Sequence, residues 1–288
     1  MAYGNATANK MDMPLKQLSV VTQYLGDQGY SFTGLNQIHV LSFANGSTAT
    51  YDESSASAPF GTINLAVPTE EDLTLAYNKS MATRIQRTQQ QDVPIDGLAA
   101  KWAAQQISEV FIPEHDEYSL GKLRAARPAA NIVAFAGSGI ATDTSLSLYF
   151  EQAVNKARVA GNKNTNQMVA WISYTYAAYL AKLIQFTGSD EGYADAKAGY
   201  LGRHKGVVCV ETPDEYFTAG TYVIIADKRA VVNVTPKIRP EDFRVLREVP
   251  GFDGVEVQIR DRGDTFVLGK RVGNIATIED TASTTTTV

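Results

Sequence analysis

Three carboxylates and an imidazole stand in a row at Glu114-His115-Asp116-Glu117. Such groups ligate divalent metals, and on a helix Glu114 and Glu117 share a face. A metal site needs convergent ligands from more than one element, and one helical turn supplies a single direction of approach. The quartet is therefore read as a solvated polar helix face. A second candidate is Ala136-Gly-Ser-Gly-Ile-Ala141, which follows an apolar strand and precedes a helix, the place where backbone N–H groups cradle phosphate. The third glycine of a dinucleotide fingerprint is missing, and no Gly-Lys-Ser/Thr follows, so a strand-to-helix turn is expected there. Neither a Gly-x-Ser-x-Gly elbow nor a His-Glu-x-x-His pair occurs. The single cysteine, Cys209, excludes an intrachain disulfide, and its setting in Val207-Val-Cys-Val210 reads as core. His39, His115 and His204 are far apart and have no zinc-ligand spacing. Trp171, Tyr174, Tyr176 and Tyr179 fit a strand running into an amphipathic helix, so they read as packing groups. The residues assign no catalytic, cofactor-binding or metal-binding position, and no cofactor is expected.

The elements that would carry these groups lie in a chain of 288 residues, 44% hydrophobic and 20% charged. That length admits one large core or two lobes. A net charge of −5 argues against sequence-independent nucleic-acid binding, which relies on Lys and Arg neutralising phosphates. No apolar run approaches the ~20 residues that span a bilayer. The N-terminal stretch lacks a secretory apolar core, so cytosolic synthesis is expected.

Residues 1–35 are polar with one weak helical stretch near Leu15–Leu25, broken by Gly26, Gly29 and Gly34. They read as a tail or as an arm that orders against a neighbour. Alternation marks strands at Gln37–Leu41, Thr62–Val67 and Asp72–Tyr77 around the small-residue stretch Asn45–Pro59. Together they describe a long hairpin with little core of its own, which would lean on something outside its domain. From Asp92-Val-Pro-Ile-Asp96 a helix carries the stripe Ile95, Leu98, Ala99, Trp102, Ala103, Ile107, Val110, Phe111. Pro113 should kink or interrupt it before it resumes toward Arg124. Strand and helix then alternate: Ile132–Ala136, Ser145–Val159, Gln167–Ile172, Tyr174–Leu183 and Val207–Val210, an α/β lobe. Strands return at Tyr222–Ala226, Ala230–Val234, Gly254–Ile259 and Thr265–Leu268, before a Thr-rich tail over 281–288.

Polar arm, long hairpin, long helix, α/β lobe and closing strands, in that order, resemble the major capsid proteins of tailed bacteriophages. Three stretches carry the resemblance: Leu73-Thr-Leu-Ala-Tyr-Asn-Lys79 through Asp92; Ile112-Pro-Glu-His-Asp-Glu-Tyr118; and Gly206-Val-Val-Cys-Val-Glu-Thr-Pro-Asp-Glu-Tyr-Phe217 with Tyr222–Val232. Pro250–Gly254 and Asp264–Leu268 are also similar to the closing region, and the likeness covers about residues 36–278. It implies an α+β fold of the Hong Kong 97 type: an N-terminal arm (1–35), an extended loop (36–80), a peripheral domain with a spine helix (81–130 and 228–280), an axial domain (131–227) and a polar tail (281–288). It also implies a non-enzymatic shell protein of the virion, made in the bacterial cytoplasm. Such a protein forms pentamers and hexamers and encloses double-stranded DNA without reading its sequence or touching a membrane. A separate scaffolding protein, a portal and decoration proteins are the partners implied. Residues 36–78 contain no lysine, so the covalent crosslinking of some relatives is not carried over. A nanocompartment of the same fold enclosing protein cargo, and a nucleotide-using α/β enzyme resting on Gly137-Ser-Gly139, are the alternatives.

Overall fold

The computed structural model describes residues 19–26, 28–30, 37–43, 48–54, 60, 67–86, 95–135, 145–158, 167–183, 200–234, 243–247 and 250–280. The chain divides into two compact units, residues 31–76 and the remainder.

In the smaller unit, β1 (Gln37–Phe43) pairs antiparallel with β2 (Pro68–Thr74), from Gln37 opposite Thr74 to Phe43 opposite Pro68. The period of two puts His39, Leu41, Phe43, Pro68, Glu70 and Asp72 on one face. The strand expected over Thr62–Val67 falls outside the described residues except for Val67, which is not in a strand. The strand expected over Asp72–Tyr77 is divided: β2 stops at Thr74 and β3 begins at Tyr77.

In the larger unit, β3 (Tyr77–Gln86) and β10 (Phe243–Leu246) flank β11 (Gly254–Val267). The alternation along β11 sends Val255, Val257 and Ile259 inward, against Ala99, Ala103 and Phe111. Two strands were expected where β11 is one. Arg260-Asp-Arg-Gly-Asp264 reads as a break, but its arginines and Asp261 alternate between the two faces of an uninterrupted strand. The last four residues of β11 leave β3 and pair with β9 (Val231–Val234). Gly254 is fixed by packing, since a Cβ there would sit 2.2 Å from the Ile85 carbonyl oxygen.

The long helix runs as α1 (Ile95–Gln106), a π turn (Ile107–Phe111) and α2 (Ile112–Ala126). The interruption expected at Pro113 is present as the π turn just before it, and Pro113 falls in the first turn of α2. Proline lacks an N–H and its ring collides with the carbonyl four residues back. Here the chain widens instead, the Ile112 N–H bonding the Ile107 carbonyl, and the helix continues through the proline. It ends where Arg127 turns extended before Pro128, as a residue preceding proline favours. Within the stripe, Ala99, Ala103 and Phe111 are buried, Trp102 and Ile107 half-buried, and Val110 is exposed; the side chains of Ile95 and Leu98 lie outside the described residues.

The six-stranded sheet runs β4 (Ile132–Phe135), β12 (Ile275–Asp280), β8 (Thr221–Asp227), β5 (Met168–Ser173), β7 (Val207–Thr212) and β6 (Tyr200–His204). The pairs β4–β12 and β5–β7 are parallel and the rest antiparallel. β12 comes from the closing segment yet pairs inside this sheet. Every residue of β5 is buried, because both faces of the sheet are covered. Met168, Ala170 and Ile172 face α3 (Leu146–Ala157) and α4 (Tyr174–Leu180). Val169 and Trp171 face Leu120 and Leu123 of α2.

Candidate functional site

The N-terminal segment is the first surprise. Residues 19–26 form a hydrogen-bonded turn, not a helix, and Val20, Val21, Tyr24 and Leu25 are buried in the cluster with Leu120, Leu123 and Trp171. Residues 1–35 read as a tail or as an arm ordering against a neighbour, yet residues 19–26 order against their own chain, because four large side chains fall within six residues and find a sheet face to cover.

Polar groups fasten this strap. Ser19 Oγ donates to Asp116 Oδ1 at 2.6 Å, and the Val20 N–H donates to Asp116 Oδ2 at 2.8 Å. Trp171 Nε1–H donates to the Val20 carbonyl at 2.9 Å, and the Asn233 N–H to the Gly26 carbonyl at 3.1 Å. Gln28 Nε2 reaches the Lys228 carbonyl at 2.7 Å. The strap is thereby pinned to α2, β5, β9 and the turn before β9.

His115 and Asp116 are 3% and 1% exposed, so the quartet is not the solvated face expected from its charge. The reason is helical phase: Phe111, His115, Ser119 and Leu123 are four apart, as are Asp116 and Leu120, and all lie inward. Extending the apolar stripe past Pro113 would have found them. Burial lowers the His115 imidazole to about 4, with Asp264 opposing, and its ring meets Tyr77 edge-on at 5.3 Å. Burial raises the Asp116 carboxyl to about 6, against hydrogen bonds from Ser19, Val20 and Val21 that favour the anion. Glu114 points outward and pairs with Lys79 at 2.5 Å. The four groups do not converge, and among the described residues no cluster of three or more His, Cys, Asp or Glu could hold a metal ion.

A second fastening closes the other end of α2. Glu279 of β12, with no exposure, receives Arg124 at 3.1 Å, Arg127 at 2.7 Å and Thr277 Oγ1 at 2.9 Å. Nothing in the sequence order links Glu279 to α2. Below it, Thr265 Oγ1 joins Ser119 Oγ at 2.8 Å and Asn233 Oδ1 at 3.1 Å.

The remaining candidates resolve simply. Cys209 is fully buried, and burial pushes its thiol up to about 12, away from nucleophilic chemistry. Trp171 and Tyr176 are core groups, Tyr179 is half-buried and Tyr174 exposed. Gly137-Ser-Gly139 lies outside the described residues. Among the described residues no helix is long and apolar enough to cross a membrane.

Exposed apolar groups, in contrast, are concentrated. Leu41, Phe43, Tyr51, Phe60 and Val67 of the smaller unit are 55–77% exposed, with Tyr51 and Phe60 in edge-on contact at 5.1 Å. Exposed apolar patches of this kind mark interaction surfaces.

A spine helix crossing a four-stranded sheet, a six-stranded lobe closed by the last strand and a separate β-hairpin unit together make the Hong Kong 97-type capsid fold. The mature capsid of bacteriophage PhiM1 is similar over 97% of this chain and 92% of its own, with a TM-score of 0.66 at 11% identity. The capsid of cyanophage P-SCSP1u gives 96% and 92%, with a TM-score of 0.68 at 11% identity. A Mycobacterium phage Che8 structure gives 96% and 98%, with a TM-score of 0.65 at 15% identity. No family model matches the sequence, and no curated protein matches it. At these identities the likeness is one of fold.

Proposed function

We propose that this chain is the major capsid protein of a tailed bacteriophage, assembling through pentamers and hexamers into an icosahedral shell around double-stranded DNA, with no enzymatic activity of its own. The observation that carries the reading is the likeness in fold to two phage capsid structures over more than nine-tenths of both chains. The apolar face of the hairpin unit supports it, since repeated heterologous contacts are what closes a shell. Residues 1–35 act as the arm, fastened at its root by Asp116, and 36–80 as the extended loop. Residues 81–130 and 228–280 form the peripheral domain, with β12 reaching into the sheet of the axial domain, 131–227. The assembly partners are further copies, a separate scaffolding protein, a portal and decoration proteins. The protein is made in the bacterial cytoplasm and ends in the virion.

Negative-stain electron microscopy of the overexpressed chain, alone and coexpressed with a scaffolding protein, tests this. Capsomers, tubes or closed shells are expected, and nucleic acid inside particles from infected cells. A monomer under every condition refutes shell building, and protein cargo in place of nucleic acid indicates a nanocompartment.

A further inference from the structure

The six-stranded sheet is covered by different helices on its two faces. Met168, Ala170 and Ile172 meet α3 and α4 on one face, and Val169 and Trp171 meet α2 on the other, so α2 and α3 lie on opposite sides of the sheet. Each side presents a feature that packing within the chain does not explain. On the α2 side, Tyr77, Glu117, Tyr118, Gly121, Tyr216 and Phe217 line an open hollow of about 640 Å³. Gly121 stands inside α2, where glycine is unfavourable relative to alanine, yet a Cβ there would meet nothing within 4 Å. No contact within the chain therefore asks for glycine at this position, and its missing side chain opens the floor of the hollow. Tyr77 is 3% exposed, and its hydroxyl has no hydrogen-bond partner among the described residues, an orphan that a polar group entering the hollow would satisfy. On the α3 side, Leu148, Gln152 and Asn155 recur at four- and three-residue steps and are all exposed, Leu148 at 53%. This stripe carries no charge, and Glu151 beside it is already held by Lys205 at 2.6 Å. A solvent-facing helix stripe without charged residues has the composition of an interface centre.

We propose that the hollow beside Gly121 of one copy receives the Leu148 stripe of α3 from a second copy. This rests on the shell reading and names two surfaces that join neighbours in a ring. Leu148 enters among the aromatic groups, and Gly121 lets the second helix approach α2 closely. The amides of Gln152 and Asn155 meet the Glu117 carboxylate and the Tyr77 hydroxyl. The two surfaces differ and lie on opposite sides of the sheet, so the contact is heterologous. Each copy offers its stripe to one neighbour and its hollow to the other, an arrangement that closes into a ring.

Disulfide trapping in the full chain tests the contact, and Cys209, being fully buried, does not interfere. Copies carrying only Leu148→Cys, mixed with differently tagged copies carrying only Gly121→Cys and oxidised with copper phenanthroline during assembly, should give a dimer joining the two tags. Both substitutions in one chain should give a ladder of linked chains on a non-reducing gel, ending at pentamers and hexamers. Leu148→Lys, and separately Gly121→Leu, should each raise the concentration needed for shell formation about tenfold or more, the factor that burial of one leucine side chain is worth. Neither should lower the melting temperature of the unassembled subunit, since Leu148 is exposed and leucine is a better helix former than glycine. Absence of the mixed dimer, a dimer formed by the Leu148→Cys copies alone, or normal shells from both Leu148→Lys and Gly121→Leu overturns the proposal and leaves shell building standing. If the parent chain forms neither capsomers nor shells, the shell reading falls and this inference falls with it.

Discussion

Asp116→Asn removes a buried titrating carboxyl from the root of the strap while keeping its size and one acceptor oxygen. The Val20 N–H can still bond that oxygen, and the amide can donate to Ser19 Oγ. Asp116 is raised from an ordinary 3.8 to about 6 in the folded chain. Between those values the folded state holds a proton that the unfolded state has released, so the contribution is full at low pH and is lost as pH rises through about 6. A gap of about two pKa units corresponds to about 3 kcal/mol. His115 runs the other way, lowered from 6.5 to about 4. Over that window the unfolded chain is protonated and the folded one is not, so stability falls with acid by about 3 kcal/mol. The two adjacent residues therefore cancel between about pH 4 and 6, and the parent should show little slope from them. Single substitutions should unmask it. Asp116→Asn should lose about 3 kcal/mol relative to the parent as pH falls from 6.5 to 4. His115→Phe, which keeps a ring against Tyr77, should gain a similar amount relative to the parent over the same range. Urea unfolding of the unassembled subunit at four pH values, each variant referred to the parent at the same pH, cancels the other carboxylates. Slopes that match the parent in both variants would show that burial at this junction does not govern its protonation.

Glu279→Gln leaves Arg124 and Arg127 facing a neutral amide in a buried site and should cost about 3–5 kcal/mol, read as a lowered urea midpoint; an unchanged midpoint would mean the pair carries no net energy. Trp102 is half-buried, so Trp102→Ala should cost clearly less than the roughly 3–5 kcal/mol of a fully buried aromatic and leave the protein soluble, checked by thermal melting. Gly254→Ala should give insoluble protein, since the added methyl collides with the backbone of β3; a soluble variant melting like the parent would show that β3 can shift. Shortening residues 46–58 to an Asn-Gly turn should leave the subunit's circular dichroism and melting unchanged while abolishing shells, with proteolysis near the exposed Tyr51 fast in free subunits and slow in shells.

Much of this architecture is legible in periodicity. The two-residue alternation of Gln37–Leu41 and Gly254–Ile259, the three-and-four spacing of Ala99, Ala103 and Phe111, and the unbroken apolar run of Met168–Ile172 are local signals, set by where successive side chains point. Charge was legible too, since the acidic bias of 31–76 needs only counting. Phase and long-range pairing were not. Pro113 marked an interruption, but not its form: the structure makes it a π turn over Ile107–Phe111, which keeps Phe111 and Leu120 both buried. Ser19 meets Asp116 across 97 residues and Arg127 meets Glu279 across 152. No residue pattern encodes such partners; a buried charge takes whichever donor the fold brings within reach. The sequence alone determined which segments are strands and helices and where the charge lies. Tertiary structure decided which polar groups are buried, because burial depends on what covers a face and not on the residues within it.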